Sequence, residues 1–148
     1  MKIKQGIPEE RRLESIKWAF ESFKHVTDKD YFFAIIAHLT IWDISAMLVD
    51  EEENIMGLYL LGDKQLDSLV RDEKYLDLKG LEGVLLAVDK SIRGMGWGNK
   101  LKDYPKTLGI DYIWGQQLKT LNNLNDWLKR RELVGETNSV YITAEIFK

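Results

Sequence analysis

The residues best placed to do chemistry lie in Val88-Asp-Lys-Ser-Ile-Arg-Gly-Met-Gly-Trp-Gly-Asn-Lys-Leu101, where Gly94, Gly96 and Gly98 alternate along a stretch between an apolar strand signal and a helical one. Glycine reaches backbone conformations barred to other residues and lets a ligand approach the main chain closely. Several amide N–H groups gathered at a helix start form an anion site, and phosphate is its usual occupant. The Gly-Lys-Ser/Thr ending of a Walker loop is missing, and the spacing is not Gly-x-Gly-x-x-Gly. From spacing alone two readings stay open: a phosphate cradle, or a tight strand-to-helix connection whose glycines serve packing.

Other chemistries have less support. The 148-residue chain has no cysteine, which removes disulfides, thiolate metal sites and a cysteine nucleophile. Its two histidines, His25 and His38, stand in no metal-ligand spacing, so no metal site is expected. A net charge of -3 does not suit a protein that neutralises nucleic-acid phosphates. Met1–Gly6 precedes no apolar stretch, and no run approaches the ~20 apolar residues of a membrane span. The expectation is a cytoplasmic protein with neither a nucleic-acid nor a membrane partner; a second copy of the chain is a candidate partner.

The elements around the loop follow from periodicity. Lys2–Gln5 reads as a strand, and Pro8 suits the first position of a helix whose stripe is Leu13, Ile16, Ala19, Phe20 and Phe23. Asp28 or Asp30 would cap a second helix carrying Phe32, Phe33, Ile36 and Leu39. Apolar runs at 44–49 and 55–61 flank the acidic Asp50–Asn54 turn, as a β-hairpin would; its acidic tip is either solvated or attracts substrate. Residues 62–80 are hard to read beyond a helical turn at Leu66, Leu69 and Val70. Strands are expected at 81–88 and 111–117, with a helix at 96–104 that Pro105 stops. A helix with Leu124, Trp127 and Leu128 would end on the basic run Lys129–Arg131. Strands at 133–134 and 140–147 would close around a turn beginning at Gly135. One mixed α/β domain over 1–148 is the economical expectation.

The loop Arg93-Gly-Met-Gly96-Trp-Gly98 resembles the acetyl-CoA signature of the GNAT N-acetyltransferases, Gln/Arg-x-x-Gly-x-Gly/Ala. It follows an apolar strand ending in Val88, as that family's signature does. The opening strand, the Pro-Glu-Glu helix start and the order of elements are similar to the family's from end to end. The resemblance implies a mostly antiparallel central sheet with helices on both faces and splayed fourth and fifth strands. It implies acetyl-CoA as cosubstrate with no metal. The amides of Arg93, Gly94, Met95, Gly96, Trp97 and Gly98 would hold the pyrophosphate. The main chain near Leu86 and Val88 would pair with the pantetheine arm, and Asn122 or Asn123 would cap a helix facing the cofactor. Lys100 either reaches a phosphate or is a solvated helix lysine.

The activity implied is transfer of acetyl to a primary amine, a small cationic amine or a lysine side chain. Glu82 stands as far before the signature as the general-base glutamate of the family's histone-type members. It is either that base or an exposed strand-end residue. Leu128 occupies the position of a tyrosine general acid found in many members and cannot donate a proton; either Tyr141 or water replaces it, or no acid is needed. The alternative is a GNAT-shaped binding or structural module without catalysis.

Overall fold

The computed structural model describes residues 1–121 and 124–147. In chain order the described residues form β1 (Lys2–Gln5), α1 (Glu9–Phe23), α2 (Lys29–Leu39), β2 (Ala46–Val49), β3 (Ile55–Gly62), α3 (Glu73–Leu76), β4 (Gly80–Val88), α4 (Trp97–Asp103), β5 (Tyr112–Leu118), α5 (Leu124–Leu128), β6 (Glu132–Glu136) and β7 (Val140–Ile146). The hydrogen-bonded strand order is β1-β2-β3-β4-β5-β7-β6. The β4–β5 pair is parallel, while β1–β2, β2–β3, β5–β7 and β6–β7 are antiparallel. This is the mixed, mostly antiparallel sheet expected. The chain forms two compact units, Met1–Gly62 with Val84–Leu108 and Asp63–Gly83 with Gly109–Lys148. No helix among the described residues is long and apolar enough to cross a membrane.

In the first unit, α1 and α2 bury Ile16, Ala19, Phe32 and Ile36 with Met47, Leu58, Leu60 and Leu85 of the strands. Phe20 and Phe23 extend this core by ring contacts to Phe32 at centroid distances of 5.4 and 5.7 Å. Leu13, expected in the stripe, is 56% exposed. The buried arc of α1 is centred on Ser15, Ile16 and Ala19, and at about 100° per residue Leu13 falls roughly 110° from its middle. Asp28 is the cap of α2, accepting from the Tyr31 amide at 3.0 Å. At the hairpin tip Asp50 accepts from the amides of Glu52 and Asn54, both at 2.9 Å, and Glu53 pairs with Lys4 of β1. Two of the tip's acids therefore shape the turn and its neighbour strand.

The second unit has its own core of Leu66, Tyr75, Tyr112, Trp114, Ile142 and Ala144. Gly135 and Glu136 lie in β6, not in a turn; the turn is made by Thr137, whose hydroxyl accepts from the amides of Ser139 and Val140. A Cβ on Gly135 would stand 3.0 Å from Val70, so close packing explains this glycine. Helix α5 stops at Leu128, short of the basic run, and Arg131 is buried with its guanidinium 4.0 Å above the Trp127 ring.

Candidate functional site

The β4–β5 ladder covers only Gly80–Gly83 against Tyr112–Gly115. Val84–Val88 continue β4 beyond that ladder, with Leu85 and Ala87 buried and Leu86 and Val88 half-buried. Beyond Gly83 and Gly115 the two strands share no ladder pairs among the described residues.

At its end β4 turns through Lys90–Ile92, a single 3₁₀ turn. Asp89 caps it, accepting from the Ser91 amide at 3.0 Å and the Ser91 hydroxyl at 2.7 Å, and these bonds lower its pKa. The Asp89 amide donates to Met56 of β3 at 2.8 Å, and Ile92 is buried, so the loop is fixed where it begins. Arg93 Nε then donates to the Val88 carbonyl at 3.2 Å, closing the loop onto the strand end.

Gly94 and Gly96 both adopt left-handed backbone, with φ of 81° and 89°. A Cβ at either would meet nothing within 4 Å, so it is conformation and not crowding that calls for glycine here. Gly96 caps α4, and its carbonyl accepts from the Lys100 amide at 3.1 Å. The amides of Gly94, Gly96, Trp97, Gly98 and Asn99 donate to no acceptor among the described residues. They lie along an exposed to half-exposed stretch. Helix α4 is held by Leu101, which is fully buried against the position of Gly57; burying such a side chain is worth about 2 kcal/mol. The result is a rigid ribbon of open donors with room above two of its glycines, and an anionic group with several acceptor oxygens fits it. The Lys100 ammonium sits 4.2 Å over the Trp97 ring, which places it on the helix surface beside the loop.

Glu82 belongs to the second unit. It is 4% exposed, not an exposed strand-end residue, and its Oε1 has no hydrogen-bond partner among the described residues. Burial pushes its pKa up, while the Gln116 side chain and Lys64 act in the opposite direction. A carboxylate whose pKa is raised by burial holds a proton more tightly than a solvated one, as a general base requires. Asn122 and Asn123 lie outside the described residues. Leu128 is 40% exposed on α5, and Tyr141 lies half-buried in β7 beneath the Lys119 ammonium, 4.9 Å from its ring centre.

Among the described residues no group of three His, Asp or Glu side chains could hold a metal ion. Sequence reasoning overlooked the buried polar row of the second unit, where Arg131 Nη1 donates to Thr143 Oγ1 at 3.4 Å and that hydroxyl donates to Gln117 at 2.8 Å. Its signal was a glycine inside a strand: a Cβ on Gly115 would stand 3.1 Å from the Arg131 guanidinium.

No protein-family model and no curated protein sequence matches the chain. Solved structures do. PH1933 from Pyrococcus horikoshii OT3 is similar over 99% of this chain and 98% of its own, with a TM-score of 0.75 at 18% identity. An acetyltransferase of the GNAT family from Staphylococcus aureus Mu50 matches over 99% of this chain and 100% of its own, with a TM-score of 0.67 at 16% identity. The fold is that of the GNAT acetyltransferases. PaiA N-acetyltransferase from Thermoplasma acidophilum, solved in complex with coenzyme A, shares this GNAT fold over 99% of this chain and 100% of its own, with a TM-score of 0.63 at 14% identity. Within the GNAT fold of this chain, the glycine loop follows β4 and opens α4.

Proposed function

We propose that this protein transfers an acetyl group from acetyl-CoA to a primary amine. The observation that carries the proposal is the row of unclaimed amides at Gly94, Gly96, Trp97, Gly98 and Asn99, held open by two left-handed glycines at the end of β4. Backbone donors of this kind suit a pyrophosphate, whose charge they share without side-chain ordering. The coenzyme A complex of PaiA, a protein of the same fold, supports the choice of ligand. Acetyl-CoA would supply the activated acyl group; Leu86 and Val88 would align its arm along β4, and an amide of the same stretch would polarise the thioester carbonyl.

Glu82 is the proposed general base, acting directly or through one water. An acceptor ammonium gives one proton to the carboxylate, and the freed nitrogen lone pair attacks the thioester carbon. A C–N bond forms, the C–S bond breaks, and the amine's second proton leaves with sulfur as the thiol. Glu82 then returns its proton to solvent. Leu128 favours a second reading, a module of the same fold without turnover, because it supplies no acid for the thiolate. Turnover separates the two. The chain has no cysteine, so a thiol reagent reports released CoA without background. Amine-dependent thiol release is expected; acetyl-CoA binding with no release from any amine would favour the second reading.

A further inference from the structure

Seventeen residues, Asp63–Lys79, separate β3 from β4, and the second unit uses them to cover one face of its sheet. Gly80, Tyr112 and Ile146 stand in register on that face, as do Glu82, Trp114 and Ala144. A Cβ on Gly80 would lie 2.4 Å from the Tyr112 ring, which shows the ring lying across β4. Leu66, fully buried, and Tyr75, 3% exposed, pack over these residues, with Tyr75 and Tyr112 ring centres 5.0 Å apart.

The covering segment is tied down at every turn. The Gln65 amide bonds both backbone groups of Gly80, donating to its carbonyl at 2.7 Å and accepting from its N–H at 3.0 Å. In that way Gln65 acts as one residue of an extra strand beside β4. The Leu66 amide donates to the Tyr112 hydroxyl at 3.1 Å, and Trp114 Nε1 donates to the Lys64 carbonyl at 2.7 Å. Farther along, the Tyr75 hydroxyl and the Lys74 ammonium both reach Glu132 of β6, at 2.6 and 2.7 Å. A segment with this many bonds to three strands is a fixed part of the unit, unlike a loop that opens readily. Glu82 lies on the face it covers.

We propose that the Asp63–Lys79 segment is a fixed roof that sets acceptor size, so that a slender, unbranched primary amine reaches Glu82 end-on and the lysines of a folded protein do not. The proposal takes the role of Glu82 from the acetyl-transfer reading; the roof itself is a property of the second unit. A carboxylate with an oxygen closed to solvent admits a nitrogen only at the tip of a narrow chain, or through one relayed water. A folded protein would have to bring its backbone against the roof. Because the roof is bonded to β4, β5 and β6, moving it would break several hydrogen bonds at once.

Two measurements test this in the parent and in Gln65→Ala, with Tyr75→Phe as a second variant should the first not fold. The first needs no turnover: Glu82 is esterified directly, with no activating reagent, by diazomethane or by diphenyldiazomethane, and each ester is read by peptide mass spectrometry against exposed glutamates of the same chain. In the parent, labelling by the bulky reagent should be absent or about tenfold below that by diazomethane, and Gln65→Ala should raise it. Equal labelling by both reagents in the parent, no labelling by diazomethane, or no change in either variant overturns the roof. The second compares CoA release with linear diamines and with a folded, lysine-rich protein. The parent should favour the diamine by about 10²-fold in kcat/KM, and Gln65→Ala should narrow the ratio by about tenfold. A parent that acetylates the folded protein as well as the diamine contradicts the proposal. Labelling as expected with no release from any amine leaves the roof standing and sinks acetyl transfer instead.

Discussion

The two ends of β4 are built in opposite ways. At its C-terminal end the chain presents bare backbone: amides with no acceptor among the described residues, two left-handed glycines and open space above them. Near its start, Glu82 is a titratable group buried in the fold, with one carboxylate oxygen that has no hydrogen-bond partner among the described residues. An anion that carries its own charge is best met by many fixed dipoles that cost nothing to keep exposed. A base that must change charge during a reaction is tuned by being taken out of water. The first arrangement is local in sequence; the second needs residues far from Glu82, brought over it by the fold.

The largest effect that would break this contrast is expected at the loop. Gly96→Val forces a β-branched residue into φ of 89° and puts a side chain where an anion would approach the amides. Losing two charge-assisted hydrogen bonds at about 1.5 kcal/mol each predicts acetyl-CoA binding weaker by about 10²-fold. Calorimetry on a variant shown to be folded by circular dichroism checks this. Unchanged affinity would make the glycines a packing feature only.

At the other end, Glu82→Gln keeps the side chain's size and removes its ability to take a proton. A loss of about 10²-fold in kcat is expected, with acetyl-CoA affinity unchanged. The parent's rate should rise with pH through an apparent pKa above the usual carboxylate range, since burial raises it. The variant should lack that rise. Full kcat with the same pH profile would leave proton removal to water or to another group.

A smaller effect of the same substitution is on stability. Because the folded pKa of Glu82 is raised, the folded chain holds this proton to higher pH than the unfolded chain does. Stability from this group is whole below the ordinary carboxylate pKa and declines as pH rises through the folded value. Glu82→Gln removes the decline, so it should melt above the parent at neutral pH and together with it below pH about 4. Thermal melts at the two pH values read this directly, and a variant less stable at neutral pH would mean that the carboxylate makes a bond the geometry does not account for.

The same contrast explains what the sequence made legible. Gly94, Gly96 and Gly98 announce their backbone requirement by type and spacing, and the strand before them and the helix after them follow from periodicity. Hence the loop and its flanking elements could be read in advance, along with the hairpin around Asp50–Asn54; the cap of α2 could be narrowed to Asp28 or Asp30, and the structure uses Asp28. The state of Glu82 could not, because it stands in register with Trp114 on a sheet face covered by Leu66 and Tyr75, whose segment has neither helical nor strand periodicity and is held instead by single side-chain bonds such as Gln65 to Gly80. Leu13 misled because three- and four-residue spacing admits more than one buried arc, and packing chose the one centred on Ser15, Ile16 and Ala19. Arg131 misled because a basic run after a helix reads as dipole compensation, whereas Trp127 and the bare backbone at Gly115 draw this arginine inside.

The central claim is that the open amides of the glycine loop hold the pyrophosphate of acetyl-CoA. Amide resonances test it most directly, in a ¹H–¹⁵N titration with acetyl-CoA in the presence of EDTA. The proton shifts of Gly94, Gly96, Trp97, Gly98 and Asn99 should move downfield together as each gains a charged acceptor, saturating with one affinity and with no metal added. A titration that leaves these amides in place while others shift, or that shifts nothing, would contradict the claim.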